Sequence, residues 1–438
     1  MTWLLVLLVI EIMLFCFVFL SNKKDIMAPS VVLSGVFIIS TFISLLNVDK
    51  WNVRYPWEAS FILSLGIMLF CVTDVLVSKS SLNRKMITAK RDIGVIRINR
   101  KKTWFIILID IVVVYFVYNE VMRIAATNTW FDNPFYAYRI LSSHSEDADP
   151  EQMMNGKIHQ AMKIIIVSGF MYTFFFINNV IIHKENWKKH ILFLVPPILL
   201  CTMTLITGVR TYILRLCVFC MICGYILLQH KRGWKITTQS KFIRIIVIAL
   251  VVILVVFSRL QSLLGRDVSG STDGFTVVSN YVGAPIIHFG QYIQNPPPPN
   301  KVLGQETFVG VWNVAYKLGI TEQAYLAHEE HRRLTNTDTG NVYTLFRRFI
   351  QDFGIGGMCI LTILLSWLFS YFYNRKIRNC TLDRKTVLNI MVYGYIFYII
   401  AMASIDNLVH DYVNIGIAVM FVLLHLMYRF VVIENTDK

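Results

Sequence analysis

Six arginines are the side chains of this 438-residue sequence best placed to do chemistry. Arg210 lies in the turn Thr207-Gly208-Val209-Arg210-Thr211 between two apolar runs, and Arg215 lies just over one helical turn deeper in the second run. Arg347 and Arg348 are adjacent within residues 341–354, NVYTLFRRFIQDFG, which lead into another apolar run. Arg259 and Arg266 follow the exit of a further one. A guanidinium is planar, permanently charged and offers paired N–H donors that match phosphate oxygens two at a time, so this pattern predicts binding of a phosphate or pyrophosphate. An arginine within an apolar span is costly and faces a cavity or a partner. For Arg215 that leaves two readings, an ion pair with a buried acid such as Asp74 or Asp110, or a cavity that takes an anion. For Arg347 and Arg348 the competing ligand is the phosphate of a lipid headgroup.

Acid–base candidates accompany these arginines: His288, His328, His331, Glu329, Glu330, Asp352, Asp406, His410 and Asp411. Histidine titrates near neutral pH and can take a proton from a hydroxyl. The sequence does not show which of these candidates approaches the arginines; His331 and Asp352 are taken as the expected catalytic pair. Other patterns carry no chemistry. His328-Glu329-Glu330-His331 spaces its histidines at i and i+3, whereas a zinc-protease helix needs i and i+4, so no metal site is expected. Asp352-Phe353-Gly354 copies a kinase tripeptide without the glycine-rich or catalytic loops of a kinase. Cys217, Cys220 and Cys223 share one helix face in an apolar run, as small core residues do. No Walker loop or dinucleotide fingerprint occurs, so neither nucleotide nor other cofactor is expected and the chemistry must use a substrate already activated.

The elements that must position these residues are membrane spans. The chain is 55% hydrophobic and 16% charged, well below the charged fraction of about 25% in soluble proteins. Apolar runs of span length predict eleven transmembrane helices, at 2–20, 27–47, 58–78, 103–124, 160–182, 191–208, 211–229, 243–258, 352–373, 386–404 and 411–431. The first run carries Glu11 and no basic leader or cleavage site, so it reads as a retained span. The loops at 21–26, 79–102, 183–190, 230–244 and 374–385 hold 2, 9, 3, 5 and 5 Lys plus Arg and alternate with loops poor in them. Basic loops stay in the cytoplasm, so the N-terminus is expected outside and the C-terminus inside. The net charge of +15 then reports topology and not a nucleic-acid partner.

This division gives helices 1–8 over 1–258, an extracytoplasmic loop over 259–351, and helices 9–11 with a cytoplasmic tail over 352–438. The long loop is the expected seat of function. The prolines at 296–299 form a stiff spacer within it. Residues 279–292 and 308–320, on either side, read as short amphipathic pieces resting on the membrane surface. The cysteines avoid the long polar loops, so no disulfide framework is expected.

The Gly-Val-Arg-Thr turn at 208–211, the segment Tyr281-Val282-Gly283-Ala284-Pro285-Ile286, the Asn-Val-Tyr-Thr…Arg…Asp-Phe-Gly-x-x-Gly entry at 341–357 and the late outer loop together resemble the oligosaccharide repeat-unit polymerases, the Wzy-type or O-antigen polymerase family. At the level of topology the resemblance covers the whole chain; at the level of residues it covers about 40 positions. It implies a multi-pass glycosyltransferase of the bacterial plasma (inner) membrane with GT-C-like architecture, related to the O-antigen ligases and acting in capsule, exopolysaccharide or O-antigen synthesis. The implied reaction transfers a growing glycan from undecaprenyl pyrophosphate to a new lipid-linked repeat unit at the outer face, without metal or sugar nucleotide. A chain-length regulator is the implied protein partner. By motif position, pyrophosphate binding falls on Arg210 and on Arg347 or Arg348, with Arg215, Arg259 and Arg266 adding to the field. An Arg-x10-Gly pattern discussed for some members occurs at Arg259 and Gly270, at about the chance rate. The first outer loop is acidic here (Glu146, Asp147, Asp149, Glu151) where some relatives carry basic loops.

The expected mechanism is electrostatic: arginines stabilise charge developing on the departing pyrophosphate while a His or carboxylate activates the acceptor hydroxyl. Trp312, Tyr316, Tyr325 and Tyr343 either stack on sugars or belong to the interfacial aromatic belt. Ligation of a finished glycan to another acceptor shares fold and donor, and only the product separates it from polymerisation. A flippase of lipid-linked sugars fits less well, since no internal repeat or broken mid-membrane helix is visible. The outer arginines argue against a purely structural scaffold.

Overall fold

The structure, a computed structural model, describes residues 1–82, 93–127, 133–143, 154–209, 211–234, 274–325, 331–334 and 337–433. Its helices are α1 (Thr2–Ser21), α2 (Pro29–Trp51), α3 (Trp57–Leu82), α4 (Arg100–Ala125), α5 (Pro134–Ser143), α6 (Gly156–Phe176), α7 (Val195–Ile206), α8 (Thr211–Arg232), α9 (Gly274–Val278), α10 (Ala284–Gln294), α11 (Val309–Lys317), α12 (Phe346–Tyr371), α13 (Arg384–Ile396), α14 (Tyr398–Ala401), α15 (Val409–Tyr412) and α16 (Ile415–Val431). Among the described residues, one two-stranded antiparallel pairing, β1 (Arg333–Leu334) with β2 (Thr337–Asp338), accompanies the helices. Ends follow local chemistry. Pro29 opens α2 and Asn52 closes it in the left-handed region. The side chains of Asn99 and Asn155 cap the first turns of α4 and α6.

Among the described residues, eight helical stretches are long and apolar enough to cross a membrane: Thr2–Ser21, Pro29–Trp51, Trp57–Ser80, Arg100–Ala125, Gly156–Ile182, Trp187–Ile206, Thr211–Arg232 and Phe346–Arg378. The chain is thus a mostly helical protein of the polytopic membrane class. The expected span 243–258 lies outside the described residues. Over the expected span 386–404 the chain forms α13 and the four-residue α14, and 411–431 contains the 17-residue α16. Chain contacts gather the elements into two units, each built from separated stretches of sequence.

The first unit holds α1–α3, α9–α12, α14 and α15. Lipid gives apolar faces no reason to associate, so packing of small residues and buried hydrogen bonds must hold such helices together. Both are present. A Cβ on Gly66 of α3 would lie 2.6 Å from the ring of Phe346, so the bare backbone makes room for the first residue of α12. Asp74, fully buried on α3, accepts from Asn22 Nδ2 (3.1 Å), from Ser30 N (3.3 Å) and from the hydroxyls of Ser30 and Ser370. Asp25 accepts from Tyr373 Oη (2.9 Å) and Arg378 Nη1 (3.2 Å).

One expectation is overturned in this unit. Residues 279–292 do not lie as an amphipathic piece on a surface: every residue from Ala284 to Gly290 is buried. The preceding π-helical turn, Ser279–Gly283, docks on α2 through Ser44 Oγ to Gly283 O (2.8 Å) and Asn47 Nδ2 to Ser279 Oγ (3.0 Å). Polar residues that a sequence reading takes for a wet face are here spent on another helix. By contrast α11 buries none of its residues, and Val311, Tyr316, Leu318 and Ile320 are exposed in and just after it.

The second unit holds α4–α8, α13 and most of α16. Buried polar pairs recur: Ser168 Oγ donates to Asp110 Oδ2 (2.7 Å) and Tyr172 Oη to Thr103 Oγ1 (3.0 Å). Asn179 gives and takes hydrogen bonds with the main chain of Ile96 at 2.9 Å each, as a strand partner would.

Candidate functional site

The arginine pair lies on the first turn of α12, and that turn is set apart from the rest of the helix. Gly354 has φ 65° and ψ −174°, a backbone conformation accessible to glycine almost alone, so the residues before it form a short helix of their own. Phe346 fixes its start by stacking on Phe37 (centroids 5.7 Å apart) over Gly66. Leu345 N donates to Ala403 O (2.8 Å), and Asn407 Nδ2 donates to Leu345 O (2.6 Å). These bonds bring the segment carrying Asp406 alongside.

Arg347 is 2% exposed. Its Nη1 is paired with Glu306 Oε2, and Glu306 is itself fully buried. The guanidinium lies over two rings, 5.4 Å from the centroid of Tyr292 and 5.2 Å from that of Tyr343, within cation–π range of both. Arg348 is less enclosed. Its Nη1 is 3.8 Å from Glu306 Oε2 and its Nε is 3.7 Å from Asp406 Oδ1, attractive distances that are too long for hydrogen bonds. Among the described residues, Nε and Nη2 of Arg347 and Nη1 of Arg348 are buried without a hydrogen-bond acceptor. Each such unmet donor costs about 1–3 kcal/mol, which an acceptor-rich anion would offset.

Asp352 serves this arrangement in a way its sequence position does not reveal. Its Oδ1 accepts from Glu306 N (3.0 Å) and Asn300 Nδ2 (2.5 Å), and its Oδ2 from Thr307 N (2.6 Å). Through these three bonds Asp352 fixes the main chain that presents Glu306 to the arginines. His288 is likewise committed. Its Nδ1–H donates to Val342 O (3.0 Å), and its Nε2 lies 2.7 Å from Thr339 Oγ1.

The remaining expected residues divide. His331 is exposed just before β1. Asp406 joins the arginine pair, while His410 Nδ1–H donates to Asn407 O (2.7 Å) with its Nε2 3.2 Å from Asp411 Oδ1. Arg215 belongs to the second unit, where its Nη1 donates to Tyr395 Oη (3.0 Å) and its guanidinium lies over the rings of Tyr212 and Tyr395. Asp74 and Asp110, its expected partners, are taken by Ser30 and Ser370 and by Ser168. Arg210, Arg259, Arg266, His328, Glu329 and Glu330 lie outside the described residues.

Glu306 and Tyr292 belong to no motif in the sequence, and Tyr343 is one of several aromatics in its stretch. Glu306 carried a signal, being the sole acidic residue between positions 274 and 321. A lone carboxylate in a near-neutral stretch beside a membrane is costly unless paired. Rim contacts extend the cluster: Arg332 Nε donates to Tyr343 Oη (3.2 Å) and its Nη2 to Asn295 O (2.6 Å).

No known protein family, no curated protein and no solved structure matches this chain.

Proposed function

We propose that this protein is a membrane glycosyltransferase that polymerises lipid-linked oligosaccharide repeat units, with eleven spans, the N-terminus outside and the loop over 259–351 at the outer face of a bacterial plasma membrane. The observation that carries the reading is Arg347, buried between Tyr292 and Tyr343 with two N–H edges unmet and Arg348 beside it. A rigid pair of guanidiniums in a low-dielectric setting is suited to the oxygens of a pyrophosphate. As the acceptor hydroxyl attacks the glycosidic carbon and gives up its proton to a His or carboxylate of the loop, the bond from that carbon to the pyrophosphate oxygen breaks and negative charge grows on the leaving group, where the arginines stabilise it. Donor and acceptor are both held in the bilayer, which converts an encounter in solution into one between confined partners.

The test is chain lengthening in vesicles supplied with lipid-linked repeat units. Wild-type protein should yield a ladder of repeat lengths on undecaprenyl lipid, and Arg348→Ala should yield none while remaining folded and inserted. A normal ladder from that variant would refute the reading. Transfer of a finished glycan to a different acceptor, with no ladder, would identify a ligase.

A further inference from the structure

Glu306 is an odd neighbour for an anion site. It is fully buried, its carboxylate occupies Nη1 of Arg347, and it faces Nη1 of Arg348 at 3.8 Å. Its main chain cannot drift away, because Asp352 holds both Glu306 N and Thr307 N. Asp406 adds a second carboxylate, 3.7 Å from Arg348 Nε. The two guanidinium charges are thus matched by two acids supplied by the protein, yet among the described residues three buried guanidinium nitrogens, Nε and Nη2 of Arg347 and Nη1 of Arg348, have no hydrogen-bond acceptor. Charge is balanced while hydrogen-bonding capacity is not, which is the signature of donors shaped for a ligand richer in acceptor oxygens than two carboxylates.

We infer that Glu306, assisted by Asp406, is a resident anion that competes with a diphosphate for Arg347 and Arg348, holding the site's affinity low enough for the spent diphosphate to leave. The inference rests on the reading of this pair as the pyrophosphate site and assigns Glu306 a role in release. With the resident carboxylate in place, an entering diphosphate takes the unmet edges of both arginines against the repulsion of a fixed negative charge. After transfer, that same repulsion speeds departure of the product. Without it, two desolvated arginines would grip the diphosphate and turnover would stall at release. Asp352 is the positioning residue of this device, since it sets where the Glu306 backbone stands.

The sign of one measurement separates this role from plain structural support. Full-length protein in nanodiscs is titrated with inorganic pyrophosphate. Glu306→Gln removes the competing charge but keeps the shape, and it should tighten binding at least about tenfold, because a unit charge about 4 Å away in a partly desolvated site is worth more than that. A purely structural Glu306 predicts the opposite, since its loss would loosen Arg347; unchanged or weakened binding by folded Glu306→Gln overturns the proposal. Should that variant not fold, Asp406→Asn, at a less enclosed position, decides: binding tightened about threefold supports the competing-anion role, and unchanged or weakened binding refutes it. Repeating the titration in phosphatidylglycerol nanodiscs separates the ligand sources. Retained pyrophosphate affinity supports a diphosphate site, and its loss would mean that single headgroup phosphates fill the site and would overturn the assignment. Because the readout is binding, tighter pyrophosphate affinity in a protein that makes no polymer would keep this inference and discard the polymerase reading.

Discussion

The carboxylate of Asp352 holds the backbone of Glu306, accepting its N–H at 3.0 Å, and thereby fixes the acid that faces the arginine pair. The contact joins the helix that carries the arginines to the loop that carries their counter-charge. A base in solution would be neutralised by Asp→Asn with little change in stability. Asp352→Asn should instead lower the melting temperature and activity together, and Asp352→Ala should cost about 3 kcal/mol or more, since hydrogen bonds to a charged group are worth about 1.5–3 kcal/mol each. Thermal unfolding measured beside polymer formation checks this; lost activity at an unchanged melting temperature would point to Asp352 as a base.

Arg347 and Arg348 should behave differently despite being adjacent. Truncating Arg347 leaves Glu306 charged and enclosed, a change that costs about 3–5 kcal/mol when a buried ion pair is broken. Arg348 bonds neither acid at hydrogen-bond distance, so Arg348→Ala should cost about 1 kcal/mol or less. Denaturation of the two single variants in the same detergent gives the comparison. The double variant Arg347→Met with Glu306→Leu should recover most of the loss seen in Arg347→Ala.

Gly354 and Gly356 offer a matched contrast. Neither has an atom within 4 Å of an added Cβ, but only Gly354 has positive φ, at 65°. Gly354→Ala should therefore destabilise by about 1–3 kcal/mol through backbone strain alone. Gly356→Ala, in regular helix, should stabilise by up to about 1 kcal/mol. Melting temperatures that move in the same direction for both would show that the break at Gly354 is not a feature of the folded state.

Gly66 tests whether the arginine turn depends on its anchor. An added Cβ would stand 2.6 Å from Phe346 Cε1 and 2.7 Å from Cζ, forcing the ring next to Arg347 to move. Gly66→Ala should cost about 1–3 kcal/mol of overpacking and reduce transfer more than stability alone explains. Phe346→Leu in the same background should restore part of both. Assaying the single and double variants at a temperature where all are folded separates the two effects.

Much of the architecture could be read from order along the chain. Hydropathy is a property of a 20-residue window, so the seven apolar runs that begin at 2, 27, 58, 103, 160, 191 and 211 each lie in or overlap a helix of span length. The run at 352–373 is helical too, but its helix begins at Phe346 because the polar residues before it pack against the loops of the same unit. At 386–404 the apolar run is broken at Phe397, where two short helices meet, and nothing in the average hydropathy of the window marks that break. Local composition also picked out residues 341–354 as the segment with chemistry in it.

What composition cannot supply is who faces whom. Glu306 meets Arg347 across 41 positions of sequence, and Tyr292 meets it across 55. No window that short holds both partners. The reading of 279–292 as a surface piece failed for the same reason, because its polar residues find hydrogen bonds on α2, more than 200 positions earlier. Asp352 stands beside the arginines in sequence, and only in space does it meet the main chain of a distant loop. The sequence alone determined that this is a helical membrane chain with an arginine pair at the mouth of a span, since apolar length and charge are carried by each residue wherever it goes. Only tertiary structure decided which carboxylate answers those arginines and which donors stay unmet, since pairing and desolvation exist only once distant segments are packed together.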